Sequence, residues 1–172
     1  MTDARDLGQL RTVADYQFGA GAGTALFPTT EAEELDVRRS TGGRPRQVLT
    51  PDGERIVSFG TDGRFTLGLA GGRRLQRALD APANRVVVGD ESEPFVRDGK
   101  NAFAKFVQSV NDDVRSRDEV LVVHERGALL AVGRAELPAS AMREFDSGVA
   151  VKVRDAVPAE AADEVDEAAD GN

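Results

Sequence analysis

The tripeptides Pro51-Asp52-Gly53 and Thr61-Asp62-Gly63 limit the fold of this chain more than any other feature. Both are tight-turn signals, and they cut the sequence into the short runs 47–50, 55–59 and 64–69. Runs this short do not sustain a helix, and their Val, Ile and Phe content suits strands, so the segment predicts an antiparallel meander. Upstream, residues 4–16 place Leu7, Leu10 and Ala14 near one face of a helix. Downstream, "GGRRLQRAL" reads as a short helix that ends before "DAPAN", a break suited to a domain boundary.

The second half opens with "RVVVG" at Arg85, a short buried-strand signal. In "FVRDGKNAFAKFVQSV", Phe103, Phe106, Val107 and Val110 fall at i, i+3, i+4 and i+7. That spacing predicts an amphipathic helix starting just after Gly99, with Asn101, Lys105 and Ser109 on its other side. "DEVLVVHERGALLAVGRAEL" reads as a two-stranded hairpin turning at 125–127, and "PASAMREF" as a brief helix with Pro138 in its first turn. "GVAVKVR" is a last strand whose alternation sets Val149, Val151 and Val153 on one face and Ala150, Lys152 and Arg154 on the other. Phe103, Phe106 and Phe145 are expected in helix core positions. The order strand, helix, hairpin, helix, strand predicts a compact α+β domain or small barrel.

The stretch "DYQFGAGAGTALF", residues 15–27, raises the question of a phosphate loop. A dinucleotide fingerprint needs a strand before its glycines, a helix after them and the spacing GxGxxG. Here a helix comes first, Pro28 limits any helix beyond the glycines, and Gly19, Gly21 and Gly23 make GxGxG. The stretch is therefore expected to be a packing turn, in which Tyr16 and Phe18 anchor the helix and the glycines allow close approach.

A chain without cysteine has no disulfides, thiolate metal sites or cysteine nucleophile, and its single histidine, His124, removes most zinc sites and His-based triads. His124 is in register with Val120 and Val122 and reads as a strand-end residue. No catalytic residue, metal or cofactor is expected. No apolar run approaches about 18 residues and the N-terminus "MTDARDLGQL" is charged, so a cytoplasmic location is expected and a membrane partner is not.

The net charge is −8, and of 22 basic residues 19 are Arg; the three lysines are Lys100, Lys105 and Lys152. This acidic, lysine-poor composition resembles that of haloarchaeal proteins. In concentrated salt the Debye length falls to a few ångströms, so the distribution of charge matters more than its sum. Residues 1–83 balance 11 acids against 11 bases, 84–156 hold 13 against 11, and 157–172 hold six acids and no base. The last segment reads as an acidic, disordered, solvating tail.

Several separated motifs in one register carry a family resemblance. "FVRDGKNAFAKFV", "RSRDEVLVV", "LLAVGRAEL" and "SGVAVKVRD" look like a PUA domain, the pseudo-β-barrel RNA-binding module named after pseudouridine synthases and archaeosine transglycosylases. "ADYQFGAGAGTALF", "RRSTGGRPRQV" and "TDGRFTLGLAGGRRL" resemble the domain that precedes it in archaeosine tRNA-guanine transglycosylases and archaeosine synthases. The resemblance implies an α+β chain: a pre-PUA α/β-meander domain at 1–83, a PUA RNA-binding domain at 84–156 and the tail at 157–172. The transglycosylase reaction needs an aspartate nucleophile on a large barrel and a cysteine-rich zinc site, and a cysteine-free chain of 172 residues accommodates neither. What remains resembles the RNA-binding half of such an enzyme, a non-catalytic protein that binds tRNA at its acceptor-stem end or another structured RNA. Two further readings stay open: a partner subunit of a split archaeosine-type tRNA-modifying enzyme, and a small enzyme of another activity.

PUA domains grip an RNA end through a glycine turn with its following helix and through the last strand. By that resemblance the surface here comprises Gly99, Lys100, Asn101, Lys105, Ala150, Lys152 and Arg154. Glycine lets a sugar-phosphate backbone approach, N–H groups at a helix start favour an anion, and lysine adds a compact charge. All three lysines of a lysine-depleted chain fall in these elements. Arg38, Arg39, Arg44 and Arg46 around "STGG" offer a second RNA contact, because guanidinium forks bind phosphate bidentately. Their alternative is surface pairing with Glu31, Glu33, Glu34 and Asp36. Arg73, Arg74 and Arg77 carry the same ambiguity. Aromatic interleaving is thin, so shape and backbone contacts are expected rather than base stacking.

Overall fold

A computed structural model describes residues 4–31 and 34–159, so the acidic tail read from the sequence lies, beyond its first three residues, outside the described residues. The chain divides into two compact units, one ending at Ala81 and the other beginning at Pro82. Among the described residues, no helix is long and apolar enough to cross a membrane.

In the first unit, α1 (Ala4–Phe18) buries Leu7, Leu10, Ala14 and Phe18, a face spaced at three and four residues. Gly19 and Gly21, at φ +113° and +93°, turn the chain into α2 (Ala22–Leu26), which lies back against α1. Gly23 permits that approach, since a Cβ there would sit 2.3 Å from the Arg11 carbonyl oxygen. The Asp15 carboxylate accepts the Gly23 N–H at 2.7 Å, and Arg11 Nε donates to the Phe27 carbonyl at 2.5 Å. The stretch is thus a packing turn, with one correction. Phe18 is buried, but Tyr16 is 95% exposed, because it stands two residues from both Ala14 and Phe18 and so on the opposite helix face.

After a 3-10 turn at Thr29–Glu31, strands β1 (Asp36–Arg39), β2 (Pro45–Leu49), β3 (Arg55–Phe59) and β4 (Phe65–Leu67) form an antiparallel sheet in chain order. The meander strands fall where the turn signals place them. β1 is an addition: Asp-Val-Arg-Arg has no apolar alternation, and its pairing with β2 makes it a strand. α3 (Leu69–Ala78) lies against β3. At β4, the Gln17 side chain stands in for a further strand, donating to the Phe65 carbonyl at 2.9 Å and accepting the Phe65 N–H at 2.8 Å. Phe65 is buried edge-on to Phe27 and Phe59, with ring centroids 5.9 and 5.0 Å away.

The second unit contains β5 (Arg85–Val88), α4 (Glu93–Arg97), β6 (Ala102–Phe103), a 3-10 turn (Ala104–Phe106), β7 (Val107–Val110), β8 (Glu119–His124), β9 (Leu129–Ala135), α5 (Ala139–Glu144) and β10 (Val149–Ala156). The sheet order is β6-β10-β9-β8-β5-β7, antiparallel except for the parallel pair β5 and β8. Its two edge strands, β6 and β7, are joined through the 3-10 turn, so the six strands form a nearly closed barrel. Val86, Val88, Val110, Val120, Val122, Leu130 and Val151 fill it, together with Val96 of α4 and Met142 of α5.

The helix expected at 101–110 is not formed. Ala102–Phe103 pairs with β10 and Val107–Val110 with β5, so strand pairing overrides a helical spacing that a strand, a turn and a second strand happen to reproduce. Phe103 is 45% and Phe145 49% exposed, so neither is a core residue, and Phe106 is half-buried. The helix of this region is α4, which precedes Gly99. In β10 the expected alternation is broken by a register shift between Val149 and Val151: Ala150 and Val151 are both buried, and Lys152 is exposed.

Candidate nucleic-acid interface

α4 ends in a Schellman turn, with Gly99 at φ +87° donating its N–H to Val96 at 2.9 Å and Lys100 donating its own to Phe95 at 3.0 Å. Both N–H groups close the helix end, so the free helix-start N–H groups expected here are replaced by a capped helix terminus. The turn itself is open: nothing lies within 4 Å of the place a Gly99 Cβ would occupy. Lys100 extends from it, its Nζ 5.6 Å from the Phe95 ring centroid and 3.9 Å from the Asp98 carboxylate. Lys105 Nζ lies 4.9 Å from the Phe106 centroid. Phe95, Phe103 and Phe106, with Ser92, Val96, Lys100 and Asn101, line a cleft of about 240 Å³. Lys100 therefore stands over an aromatic ring of this apolar cleft, while Lys105, over Phe106, lines an adjoining polar cleft that shares Ser92 and Phe106 with it.

That cleft gathers aromatics that are scattered in the sequence. Phe103 reads from the sequence as helix core, and Phe95 passes unnoticed although it is exposed. The signal that finds it is "EPFVRDG", with Pro just inside a helix start and Gly just past its end.

β6 pairs with β10, which places the last strand beside this loop. Lys152 is exposed opposite Arg134 of β9, and both line a shallow cleft of about 230 Å³ with Val153 and Arg154. Among the described residues Lys152 has no ion-pair partner. The other three residues the resemblance implies are engaged in the fold. Asn101 Oδ1 accepts the Val153 N–H at 3.1 Å, tying the loop to β10. Ala150 is buried, and its carbonyl accepts the Glu136 N–H. Arg154 grips buried Glu119 through two bonds of 2.5 and 2.8 Å. The Glu119 hydrogen bond holds the Arg154 guanidinium above its ordinary pKa; burial opposes this, and the Glu119 and Asp155 charges reinforce it.

In the first unit, Arg38 pairs with Asp36 at 2.9 Å, and Arg39 pairs with Asp6 at 2.5 Å while donating to the Gly43 carbonyl at 3.0 Å. Arg44 and Arg46 are exposed and make no ion pair among the described residues. Of the acidic partners considered from the sequence, Glu33 lies outside the described residues.

His124 is buried at the end of β8, as a strand-end residue. Its Nδ1 accepts the Arg126 N–H at 3.0 Å, so the ring proton sits on Nε2, which donates to Asp90 at 2.7 Å. Asp90, Glu93 and His124 bring possible metal ligands within 4.8 Å of one another. Each is already engaged: Nε2 carries its proton, Asp90 also binds Arg126, and Glu93 binds Arg97. The arrangement is an ion-paired strand end.

The geometry is that of a barrel presenting a lysine-flanked cleft, and comparison with known proteins gives its family. Residues 8–82 match the patch-forming domain C2 of tRNA-guanine transglycosylase, and residues 84–157 match the PUA domain. The chain belongs to the PUA-domain proteins that carry this C2 domain ahead of the PUA domain. It is 43% identical over 153 residues to the tRNA-guanine(15) transglycosylase of Methanothermobacter thermautotrophicus and 44% identical over 146 residues to that of Pyrococcus furiosus. These alignments cover 89% and 84% of this chain but 23% and 24% of the relatives. The chain thus spans about a quarter of the length of the curated relatives it matches, in their C-terminal portion. Its fold is similar to that of a hypothetical protein from Pyrococcus horikoshii OT3, with a TM-score of 0.68, 21% identity, and coverage of 90% of this chain and 91% of that one. A conserved PUA domain protein from Thermoplasma acidophilum gives a TM-score of 0.60 at 19% identity, covering 91% of each chain.

Proposed function

We propose that this chain is a non-catalytic RNA-binding protein that holds tRNA at its acceptor-stem end, or a comparable duplex end, in the service of RNA modification in the cytoplasm. The observation that carries the reading is the cleft beside Gly99, where Lys100 stands over exposed Phe95, with Lys105 over half-buried Phe106 in the adjoining cleft of the same PUA domain. An RNA end offers phosphates and an exposed base face together, and lysine beside an aromatic ring meets both. Lys152 extends the charged surface along β10, and Arg44 with Arg46 supplies a second contact from the first unit. The chemistry of modification belongs to the portion of the relatives that this chain does not match.

A second reading, a partner subunit that completes a split tRNA-modifying enzyme, is favoured by one observation: the chain corresponds to about a quarter of each relative. Copurification with a catalytic chain lacking its own PUA domain would support it.

The test is fluorescence anisotropy with labelled tRNA at several salt concentrations, using the wild type and the double variant Lys100→Glu/Lys152→Glu. Binding weakened by about tenfold or more, at an unchanged melting temperature, is the expected result. Equal binding by the two proteins would overturn the placement of the site, and no binding of tRNA or any structured RNA by the wild type would overturn the function.

A further inference from the structure

Asp6, Arg11 and Asp15 of α1 are engaged within their own unit: Asp6 pairs with Arg39, Arg11 donates to the Phe27 carbonyl, and the Asp15 carboxylate holds the Gly23 N–H. The outward face of the helix consists of Gly8, Gln9, Thr12, Val13 and Tyr16, all exposed and set three or four residues apart. None of the five is charged, in a chain whose residues are 30% charged. Tyr16 is the single tyrosine, and its hydroxyl has no hydrogen-bond partner among the described residues. Its sequence neighbours all serve the fold: Asp15 bonds to Gly23, Gln17 to Phe65, and Phe18 is buried. An exposed face depleted of charge and centred on a tyrosine has the composition of the middle of a protein–protein contact. It offers no cation to a phosphate and too little apolar surface to a bilayer.

We propose that this face of α1 docks on a protein partner, the catalytic chain of the tRNA-modifying enzyme that this chain completes. The inference rests on the partner-subunit reading above. The relatives carry about three quarters of their length ahead of the portion they share with this chain, and the match to the C2 domain starts at residue 8, inside α1. α1 is thus the element at which the rest of a relative joins the shared portion. In a split enzyme no peptide bond supplies that junction, so a surface contact beside it has to replace the effective concentration that a covalent link provides. A second copy of this chain fits the face less well. At 1.5 Å per residue α1 is about 22 Å long, and two such faces would bury on the order of a few hundred Å² per chain, short of the roughly 800 Å² per partner of a stable interface. A larger partner extends the contact onto surfaces beyond α1.

The experiment expresses the tagged full-length chain in its native cells and quantifies by mass spectrometry the tRNA-guanine transglycosylase catalytic chain recovered with it, for the wild type and for Thr12→Glu/Tyr16→Arg. The two substitutions put charge on the docking face at exposed positions and leave the net charge unchanged, and equal melting temperatures verify the fold. Recovery is expected to fall at least about tenfold in the variant, the loss of one interface anchor, while its affinity for tRNA by anisotropy equals that of the wild type. Equal recovery by the two proteins overturns this inference and leaves the partner-subunit reading standing. No recovery of the catalytic chain by the wild type overturns both. A dimer of the purified wild type that the variant abolishes in sedimentation would assign the face to a second copy, and a loss of tRNA affinity in the variant would assign it to RNA; either result overturns the inference.

Discussion

After α1 the chain turns at Gly19 and Gly21 and re-enters the core at once; after α4 it turns at Gly99 into an exposed lysine and returns to the core only at Ala102. The backbone conformation is alike, with φ of +113°, +93° and +87°. The residues after each turn differ. The first turn leads into Ala22, Gly23, Leu26 and Phe27, all buried, with Gly23 pressed on the Arg11 backbone. The second leads into exposed Lys100, with open space around the glycine. A glycine turn is therefore read by the burial of its successors, and the glycine count says little. The basic residues divide by type rather than by unit, since arginines of both units are ion-paired while the lysines are not closely held. Arg38 and Arg39 of the first unit are paired with carboxylates at 2.9 and 2.5 Å. In the second unit Lys100 is 3.9 Å from its nearest carboxylate partner, and Lys105 and Lys152 have none among the described residues.

The substitution Gly23→Val strains the comparison most. Its side chain would overlap the Arg11 backbone, which no rotamer relieves, so α2 must lift off α1. A loss of about 3 kcal/mol is expected from overpacking against backbone, read as a fall in the urea midpoint. A loss below about 1 kcal/mol would show that the first turn is no more tightly packed than the second.

Glu119→Ala comes next, because it strips Arg154 of the carboxylate that holds it. Removing one member of a buried pair costs about 3–5 kcal/mol, and Arg154, whose side chain is 30% exposed, turns partly to water, so about 2 kcal/mol is expected. The pH dependence has a definite sign. A guanidinium held above its ordinary pKa gives stability that is fully present below the unfolded value and is lost as pH rises through the folded one. Across roughly pH 6 to 10 the Arg154 contribution is therefore flat. A difference between wild type and Glu119→Ala that shrank steadily with pH in that range would contradict the assignment.

Gly99→Ala has a smaller effect on stability, about 1 kcal/mol, since the added methyl meets nothing and the strain of a positive φ is the sole penalty. Its effect on RNA affinity is expected to exceed its effect on stability, because relaxing the turn re-aims Lys100. Unchanged affinity would remove Gly99 from the interface.

Much of this contrast was legible in the sequence, and the rest depends on pairing between distant residues. The "PDG" and "TDG" turns place β2, β3 and β4, and the alternations around "HERG" and in "GVAVKVR" place β8, β9 and β10, because local chemistry decides them. β1 has no local signal and exists through β2. Residues 102–110 mislead, because Phe103, Phe106, Val107 and Val110 fit a helix while β10 and β5 recruit the flanking runs as strands. That misplacement hid the aromatic cleft. Lys100, Lys105 and Lys152 stand out in the sequence through a family likeness and their rarity. That Asn101, Ala150 and Arg154 are engaged inside the fold depends on partners 35 or more positions away for Asn101 and Arg154, and on strand register for Ala150.

The smallest effect is expected at Tyr16, and it tests the same turn from its outer side. Tyr16 and Phe18 enter the glycine stretch together, yet one is 95% and the other 6% exposed. Tyr16→Ser should change stability by less than about 0.5 kcal/mol, the range of surface substitutions that touch no special feature. Thermal and urea unfolding of Tyr16→Ser and Phe18→Ala side by side would resolve the difference, because Phe18→Ala opens a core cavity worth about 3 kcal/mol or more. A Tyr16→Ser loss approaching that of Phe18→Ala would mean that the outer face of α1 is covered. The first turn would then be anchored from both sides, as the sequence alone suggests, and its contrast with the Gly99 turn would be larger than the structure shows.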